Sequence, residues 1–465
     1  MNQRKRKKPF IWTYVVVVLA VLLGAYVYST RPEKDTESKV LVALSENELK
    51  QLVVDKSDES IVLEKAEDDW KIVIGSRRFD TDTVAVNDML SSLSNLEFTR
   101  EVASGVSDAD LGQYGLDSPE VAVLASTEDS TIEIKFGDRT PVGSDRYVAV
   151  SSLPGQVYTV ASNHYNVFNR KRDDVRNKNV VSVATHELAE IAVTNANQQI
   201  RVKKSGEDWH LVSPYQDLAD YYSASNLGWT ASSLTADEFV NDDPETLAPY
   251  GLDQPRATVE FISSSSEEGG KRSSLTLYIG SEVEDGSGFY FMTDKSSSVY
   301  KSNRATAPFV SLTVNDLLET SIFTKTRTQL AKLTVAKDGQ QYAMVSKDDE
   351  WIAILPSGDE VTMSDTDALN AWYDFQRIKI KEIAADKYQG LTDEELGLAS
   401  TGKWVTADWK DGTVTKVLFG SPVGPEASET QLVLCKVSDR PYVYVTDLAA
   451  FEEVVTALAN AKESE

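Results

Sequence analysis

The same series of local features occurs three times along this 465-residue chain, and this repetition limits what the chain can fold into. In each copy an acidic residue precedes a Trp, and a Gly-Leu turn follows. A strand then ends in Gly, and a Val-Tyr strand closes the series. Corresponding landmarks lie roughly 140 residues apart, which is the size of a domain and not of a solenoid repeat. The sequence therefore predicts three copies of one domain, which we number repeats 1 to 3.

The landmark residues are mainly of the types that form turns and cores. They comprise a Trp in each repeat, the residues of the turn, and the Gly that ends the next strand: Trp70, Trp209, Trp351, Tyr114, Gly115, Leu116, Asp117, Pro119, Tyr250, Gly251, Leu252, Asp253, Pro255, Gly397, Gly137, Gly280 and Gly420. Gly can adopt the left-handed conformation that ends a short helix, and Pro favours an extended entry into a strand. A large aromatic residue at a repeated position is more often a core residue than a ligand-stacking one. We interpret these landmarks as structural, and they identify no catalytic residue, cofactor or metal ligand.

The pattern within each repeat predicts an α+β domain. In repeat 1, residues 61–64 and 70–74 flank a polar turn, as in a β-hairpin. Apolar residues at helical spacing follow, and further short apolar segments lie between Gly and Pro residues. Short strands joined by tight turns favour an antiparallel sheet. We therefore predict three tandem repeats, each an antiparallel β-sheet with one or two covering helices.

The N-terminus has the pattern of an uncleaved membrane anchor. Five cations at positions 4–8 precede an uncharged apolar run that is long enough for one helical crossing of a bilayer. Because cations remain on the cytoplasmic side, we expect the chain beyond Thr30 to lie outside the cytoplasm. The predicted organisation is a basic tail at 1–9, a transmembrane helix at 10–29, a linker at 30–40, repeat 1 at 41–182, repeat 2 at 183–326 and repeat 3 at 327–462.

Composition excludes some classes of partner. Beyond Pro9 the chain has 42 basic and 73 acidic residues, a formal charge of −31. Such a surface repels phosphate backbones, so we expect no nucleic-acid partner. Cys435 is the only cysteine, so no internal disulfide can form.

The sequence contains few candidates for catalytic or metal-binding residues. The three His residues (His164, His186 and His210) have no metal-ligand spacing, and no nucleophile elbow, phosphate-binding loop or dinucleotide-binding fingerprint is present. Acidic pairs recur before the predicted helix of each repeat, namely Asp80 with Asp82, Asp217 with Asp220, and Asp365 with Asp367. Helix capping explains these pairs most simply, while Ca²⁺ binding and acid–base catalysis are the alternatives.

The additional Trp residues of repeat 3, namely Trp372, Trp404 and Trp409, hint at an exposed aromatic surface in that repeat.

Together, the repeated Trp, the Tyr-Gly-Leu-Asp-x-Pro turn, the strand ending in Gly and the Val-Tyr strand resemble the bacterial domain-of-unknown-function family 4340 (DUF4340). Members of that family are typically membrane-anchored exported proteins. They are often encoded beside ABC transporter subunits of the gliding-motility type, and they have no established catalytic residues. The resemblance implies a non-enzymatic accessory or scaffold protein of a membrane transport complex. A protein that binds cell-envelope polysaccharide is the alternative, and a carboxylate-dependent hydrolase is the third.

Overall fold

The computed structural model describes residues 39–264, 272–348, 350–399, 402–423 and 431–461. The predicted basic tail and transmembrane helix at 10–29 lie outside these residues. Within the described ranges, no helix combines the length and the apolar character needed to cross a bilayer. The chain divides into two compact units: unit 1 ends at Asn177 and unit 2 begins at Lys178.

Unit 1 contains repeat 1, whose strands form one antiparallel sheet. The strands are β1 Lys39–Val42, β2 Gln51–Lys56, β3 Ser60–Ala66, β4 Asp69–Ile74, β5 Arg77–Asp80, β6 Leu96–Ser104, β7 Val121–Ser126, β8 Thr131–Arg139, β9 Arg146–Val150 and β10 Gln156–Val160. The helices are α1 Thr83–Ser94 and α2 Ser162–Phe168. The strand order is β1-β6-β10-β9-β8-β7-β2-β3-β4-β5. The predicted hairpin is confirmed as β3 paired with β4.

Unit 2 contains repeats 2 and 3, each with an antiparallel sheet of its own. The strands of repeat 2 are β11 Leu188–Asn195, β12 Gln199–Ser205, β13 Asp208–Ser213, β14 Asp217–Leu218, β15 Glu238–Asn241, β16 Ala257–Ser264, β17 Arg272–Glu282, β18 Gly288–Thr293 and β19 Ser296–Asn303. Its helices are α3 Tyr221–Ser232 and α4 Ala307–Ser311. The strands of repeat 3 are β20 Leu330–Lys337, β21 Gln340–Lys347, β22 Glu350–Ile354, β23 Glu360–Thr362, β24 Ile380–Ile383, β25 Lys403–Trp409, β26 Val414–Pro422, β27 Leu432–Val437 and β28 Val443–Asp447. Its helices are α5 Asp365–Gln376 and α6 Leu448–Ala459.

The three sheets share one topology, which confirms the repeated domain. Repeat 2 has the order β14-β13-β12-β11-β16-β17-β18-β19-β15, and repeat 3 has β23-β22-β21-β20-β25-β26-β27-β28-β24. Apart from β1, repeat 1 has the same order. In each repeat a helix leads from one edge strand to a strand on the opposite side of the sheet, where β6, β15 and β24 pair with β10, β19 and β28. In repeat 1, β1 adds one more strand beyond β6. The described chain is therefore mostly antiparallel β-sheet.

Alternating apolar side chains form the core of each sheet. Along β7 and β16 every second residue is buried, as expected of strands with one face against a core. Repeat 1 has a core cluster of its own, whereas most buried apolar residues of repeats 2 and 3 form one continuous cluster. A small separate cluster lies around Leu396 and Leu434 in repeat 3. Within unit 2, for example, the rings of Phe323 and Phe375 stack with centroids 3.8 Å apart. Repeats 2 and 3 therefore fold around a shared core.

Candidate functional site

The two Gly landmarks of each repeat contact the same turn. Gly115 has a φ of 68° and ends a short 3₁₀ helix, Asp108–Tyr114, and Gly251 does the same after Ala248–Tyr250. The Gly that ends the following strand then lies against the turn: a Cβ added at Gly137 would be 2.2 Å from the carbonyl oxygen of Tyr114. The counterparts are Gly280 against the Tyr250 carbonyl at 2.1 Å and Gly420 against the Leu396 carbonyl at 2.5 Å. This contact explains why both Gly residues recur in every repeat.

The other turn residues are placed as parts of the same element. The Leu after each turn Gly is buried and lies within 3.2 Å of the position that a Cβ would take on the strand Gly, as for Leu252 and Gly280. Asp117 and Asp253 are exposed, and Pro119 and Pro255 are half-buried before the next strand. The turn in repeat 3 keeps this geometry around Gly397, which has a φ of 72°.

The repeated Trp residues point into the cores. Trp70, Trp209 and Trp351 are all buried, and the Trp209 indole N–H donates to the hydroxyl of Ser225 at 3.1 Å. The expected aromatic surface in repeat 3 is wrong for two of its three residues. Trp372 and Trp409 are buried, with ring centroids 6.4 Å apart in an edge-to-face arrangement, and Trp404 is half-buried.

One acid of the pair caps the helix in two of the repeats. Asp82 accepts a hydrogen bond from the Ala85 amide at 2.8 Å, and Asp220 accepts one from the Ser223 amide at 2.7 Å, so capping is confirmed for both. In repeat 3 the predicted cap is wrong. Ser364 accepts from the Asp367 amide at 3.1 Å, and both acids of the pair lie in the first helical turn. Within the described ranges, no group of three or more His, Cys, Asp or Glu residues could hold a metal ion.

Replacing Asp82, the N-cap residue of α1, should lower the stability of unit 1 by a predictable amount. Asp82→Ala is expected to lower the free energy of unfolding of unit 1 by about 1 kcal/mol, because an amide at the start of α1 loses its acceptor. Asp82→Asn is the matched control and should unfold like the wild type, since Asn caps equally well. Urea unfolding followed by circular dichroism measures both variants. A loss of equal size in the two would show that the charge of Asp82, and not its role as an acceptor, stabilises the fold.

Asp217 has a role that the sequence did not reveal, and its assignment as a helix cap is wrong. Its side chain is 1% exposed, and its Oδ1 lies 2.6 Å from Nε of Arg440, whose side chain is 4% exposed. The Tyr444 hydroxyl donates to the other carboxylate oxygen at 2.7 Å. Arg440 also donates to the Glu319 carbonyl at 3.0 Å. Asp217 lies in repeat 2 and Arg440 and Tyr444 in repeat 3, so this cluster joins the two repeats.

The surroundings of the Tyr444 phenol keep it protonated. Burial, and then the hydrogen bond to Asp217, raise the pKa of Tyr444 well above its usual value, so the phenol remains a donor. Nearby on β27, burial likewise raises the pKa of the Cys435 thiol, which keeps the sulfur protonated and unreactive. The cluster is therefore a buried ion pair that is hydrogen-bonded to a protonated phenol.

The three His residues occupy separate places. His164 lies 2.7 Å from the Ser92 hydroxyl, and burial lowers its pKa. His210 is half-buried on β13, and His186 is exposed at the edge of a cleft in repeat 2.

That cleft is lined by exposed aromatic residues. It has a volume of about 740 Å³ and lies between the outer face of α3 and residues 185–188. Tyr222 is 80% exposed and Trp229 63% exposed, and Tyr221 lies beside them. The polar lining comes from Thr185, His186, Lys204, Ser223, Ser225 and Asn226.

The comparisons with known proteins identify the family. A family model described as Domain of unknown function (DUF4340) matches residues 73–228 and 209–400, which together span well over half of the chain. The chain belongs to the DUF4340 family. The two DUF4340 matches start about one repeat apart, in agreement with the shared sheet topology. No curated protein and no solved structure matches the chain.

Proposed function

We propose that this DUF4340 protein is a non-catalytic accessory subunit that scaffolds an ABC-type transport complex. In this proposal residues 10–29 anchor the chain in the cell membrane as a single-pass helix, with the N-terminus in the cytoplasm and the repeats outside it. The family resemblance and the apolar N-terminal run support the anchor and the partner.

The observation that carries the proposal is the structural role of the residues that recur in every repeat. Among the residues that recur in all three repeats, the strand Gly lies against the turn carbonyl, and the Trp lies in the core. Their recurrence is therefore accounted for by the fold, without any need for a reaction. Repeats 2 and 3 also share one core, which suits a rigid surface for partner proteins.

Tandem domains on one anchor also suit scaffolding on general grounds. Linked binding modules raise the effective concentration of the second contact, so several weak contacts can hold a complex together. The strongly acidic surface disfavours binding to anionic lipid headgroups, so contacts with protein subunits agree better with its charge.

Purification of the full-length protein from native membranes tests this function. In a mild detergent, we expect permease and ATPase subunits to be enriched over a mock purification. A chain whose residues 10–29 are replaced by an unrelated single-pass helix is the control, and it should retain the partners if the repeats make the contacts. Protease added to intact spheroplasts should digest the repeats. Protected repeats, or purification without any transporter subunit, would contradict the proposal.

The carboxylate-dependent hydrolase is the weakest of the three alternatives. It would require Asp82, Asp220 and Asp367 to act on a substrate, yet the first two accept hydrogen bonds from helix amides and the third lies in the first turn of α5. If these three residues were changed together, a hydrolase would lose turnover while remaining folded. We expect weaker folding instead, because the amides at two helix starts lose their acceptors.

A further inference from the structure

We propose that the cleft between α3 and residues 185–188 of repeat 2 binds a neutral glycan chain. The repeated Trp70, Trp209 and Trp351, which were weighed as ligand-stacking residues in the sequence, are buried. This proposal therefore depends on the exposed rings of α3, which only the structure places together. It is independent of the transport-complex proposal, because glycan binding can be measured without any transporter subunit.

Two exposed rings provide the apolar part of the site. Tyr222 and Trp229 are 80% and 63% exposed and both line the cleft. They are seven positions apart on one helix, or about 10 Å along its axis, which is roughly the length of two adjacent pyranose rings. Large aromatic rings that are exposed together along a groove are typical of a ligand-binding or interaction site. The C–H face of a pyranose is an apolar, flat surface of the kind that stacks on such rings.

The polar lining matches uncharged hydroxyl and amide groups. Ser223 and Asn226 on α3 and Thr185 on the facing segment provide neutral donors and acceptors around the rings. Helix α3 contains no charged residue, although 26% of the chain is charged. A few polar groups that orient a ligand beside apolar surface are the usual composition of a small-molecule site. Lys204 and His186 lie at the cleft, while the net charge of −26 disfavours a polyanionic chain.

The aromatic pair belongs to repeat 2 alone. At the two corresponding helix positions, α1 has Val84 and Ser91, and α5 has Thr366 and Tyr373. These residues are not required by the fold, because the other repeats adopt the same topology without them. The cleft is therefore an addition to the shared scaffold.

A single Gly also sets the geometry of this cleft. A Cβ added at Gly228 would lie 2.6 Å from Leu188 Cδ2, whereas α1 and α5 have Leu90 and Trp372 at this position. The missing side chain lets α3 approach the segment that forms the opposite wall of the cleft. The exposed rings and Thr185 therefore face the same space.

Calorimetry on the full-length protein tests the proposal. The protein is purified in a zwitterionic detergent without a sugar headgroup, and chitotetraose and cellotetraose are the probes. We expect at least one probe to bind with a submillimolar Kd, and Trp229→Ala and Tyr222→Ala to raise that Kd about tenfold or more. Tyr373→Ala is the matched control, since Tyr373 is 54% exposed at the position in α5 that corresponds to Trp229. It should bind as the wild type does.

Three results would overturn the proposal. The first is an absence of heat with either probe at millimolar concentration. The second is a Trp229→Ala variant that binds the probe as tightly as the wild type. The third is a Trp229→Ala variant that loses binding to neutral lipid vesicles or loses self-association, which would assign the aromatic surface to a membrane or to a second copy. Because Trp229 is exposed, its replacement should leave the melting temperature unchanged.

Discussion

Arg440→Met is expected to lower the free energy of unfolding of unit 2 by about 3–5 kcal/mol, because it leaves the carboxylate of Asp217 buried without its cation. The Asp217 side chain is 1% exposed, so water cannot replace the lost partner. Urea unfolding followed by Trp fluorescence is the measurement. Six of the eight Trp residues lie in unit 2, so the signal mainly reports this unit.

Two further variants separate the effect of the unpaired charge from the effect of side-chain packing. Asp217→Asn combined with Arg440→Met removes both charges but keeps an acceptor for Tyr444, and it should recover at least half of the loss. Arg78→Met breaks the exposed ion pair with Glu64 in unit 1 and should cost less than about 1 kcal/mol. If the single and double variants of unit 2 were equally unstable, the loss would come from packing of the Arg440 side chain and not from an unpaired charge.

Gly280→Ala is expected to lower the free energy of unfolding of unit 2 by about 3 kcal/mol, because its Cβ would lie 2.1 Å from the carbonyl oxygen of Tyr250. The blocking atom belongs to the backbone, so no side chain can move aside. Gly280 does not have a left-handed φ, and therefore steric contact is the only source of the cost. Urea unfolding measures the loss, and the corresponding Gly137→Ala in unit 1 should behave in the same way.

Gly206→Ala is the matched control for this steric effect. Gly206 has a φ of 62°, and an added Cβ would meet no atom within 4 Å. Only the left-handed backbone opposes this substitution, at a cost of about 1–2 kcal/mol. If Gly280→Ala lowered the free energy of unfolding no more than Gly206→Ala does, the close contact between strand and turn would not be what stabilises each repeat.

Much of the fold followed from local patterns in the sequence. Strand alternation and the polar turn predicted the β3–β4 hairpin, and the Gly-Leu turn predicted a short helix ending at Gly115. The period of the landmarks predicted the repeated domain. These features depend on neighbouring residues, and local preference is readable without knowing the tertiary structure.

The interface between repeats 2 and 3 could not be predicted in this way. Asp217 and Tyr444 are 227 positions apart, and no local pattern indicates which distant cation a single carboxylate will meet. The acid before α3 resembles a helix cap in the sequence, and its neighbour Asp220 is one. For the same reason, the burial of Trp372 was not predicted from the sequence, because it depends on a core that repeats 2 and 3 form together. The aromatic cleft was missed because exposure of Tyr222 and Trp229 is a property of the folded helix.

The single cysteine of this protein can serve as a reporter in living cells. Because Cys435 is fully enclosed within the core that two repeats share, a membrane-permeable maleimide can reach it only after that whole region has opened. The fraction of chains labelled over time would then measure how often unit 2 opens in the cell. The measurement needs neither a denaturant nor an engineered cysteine.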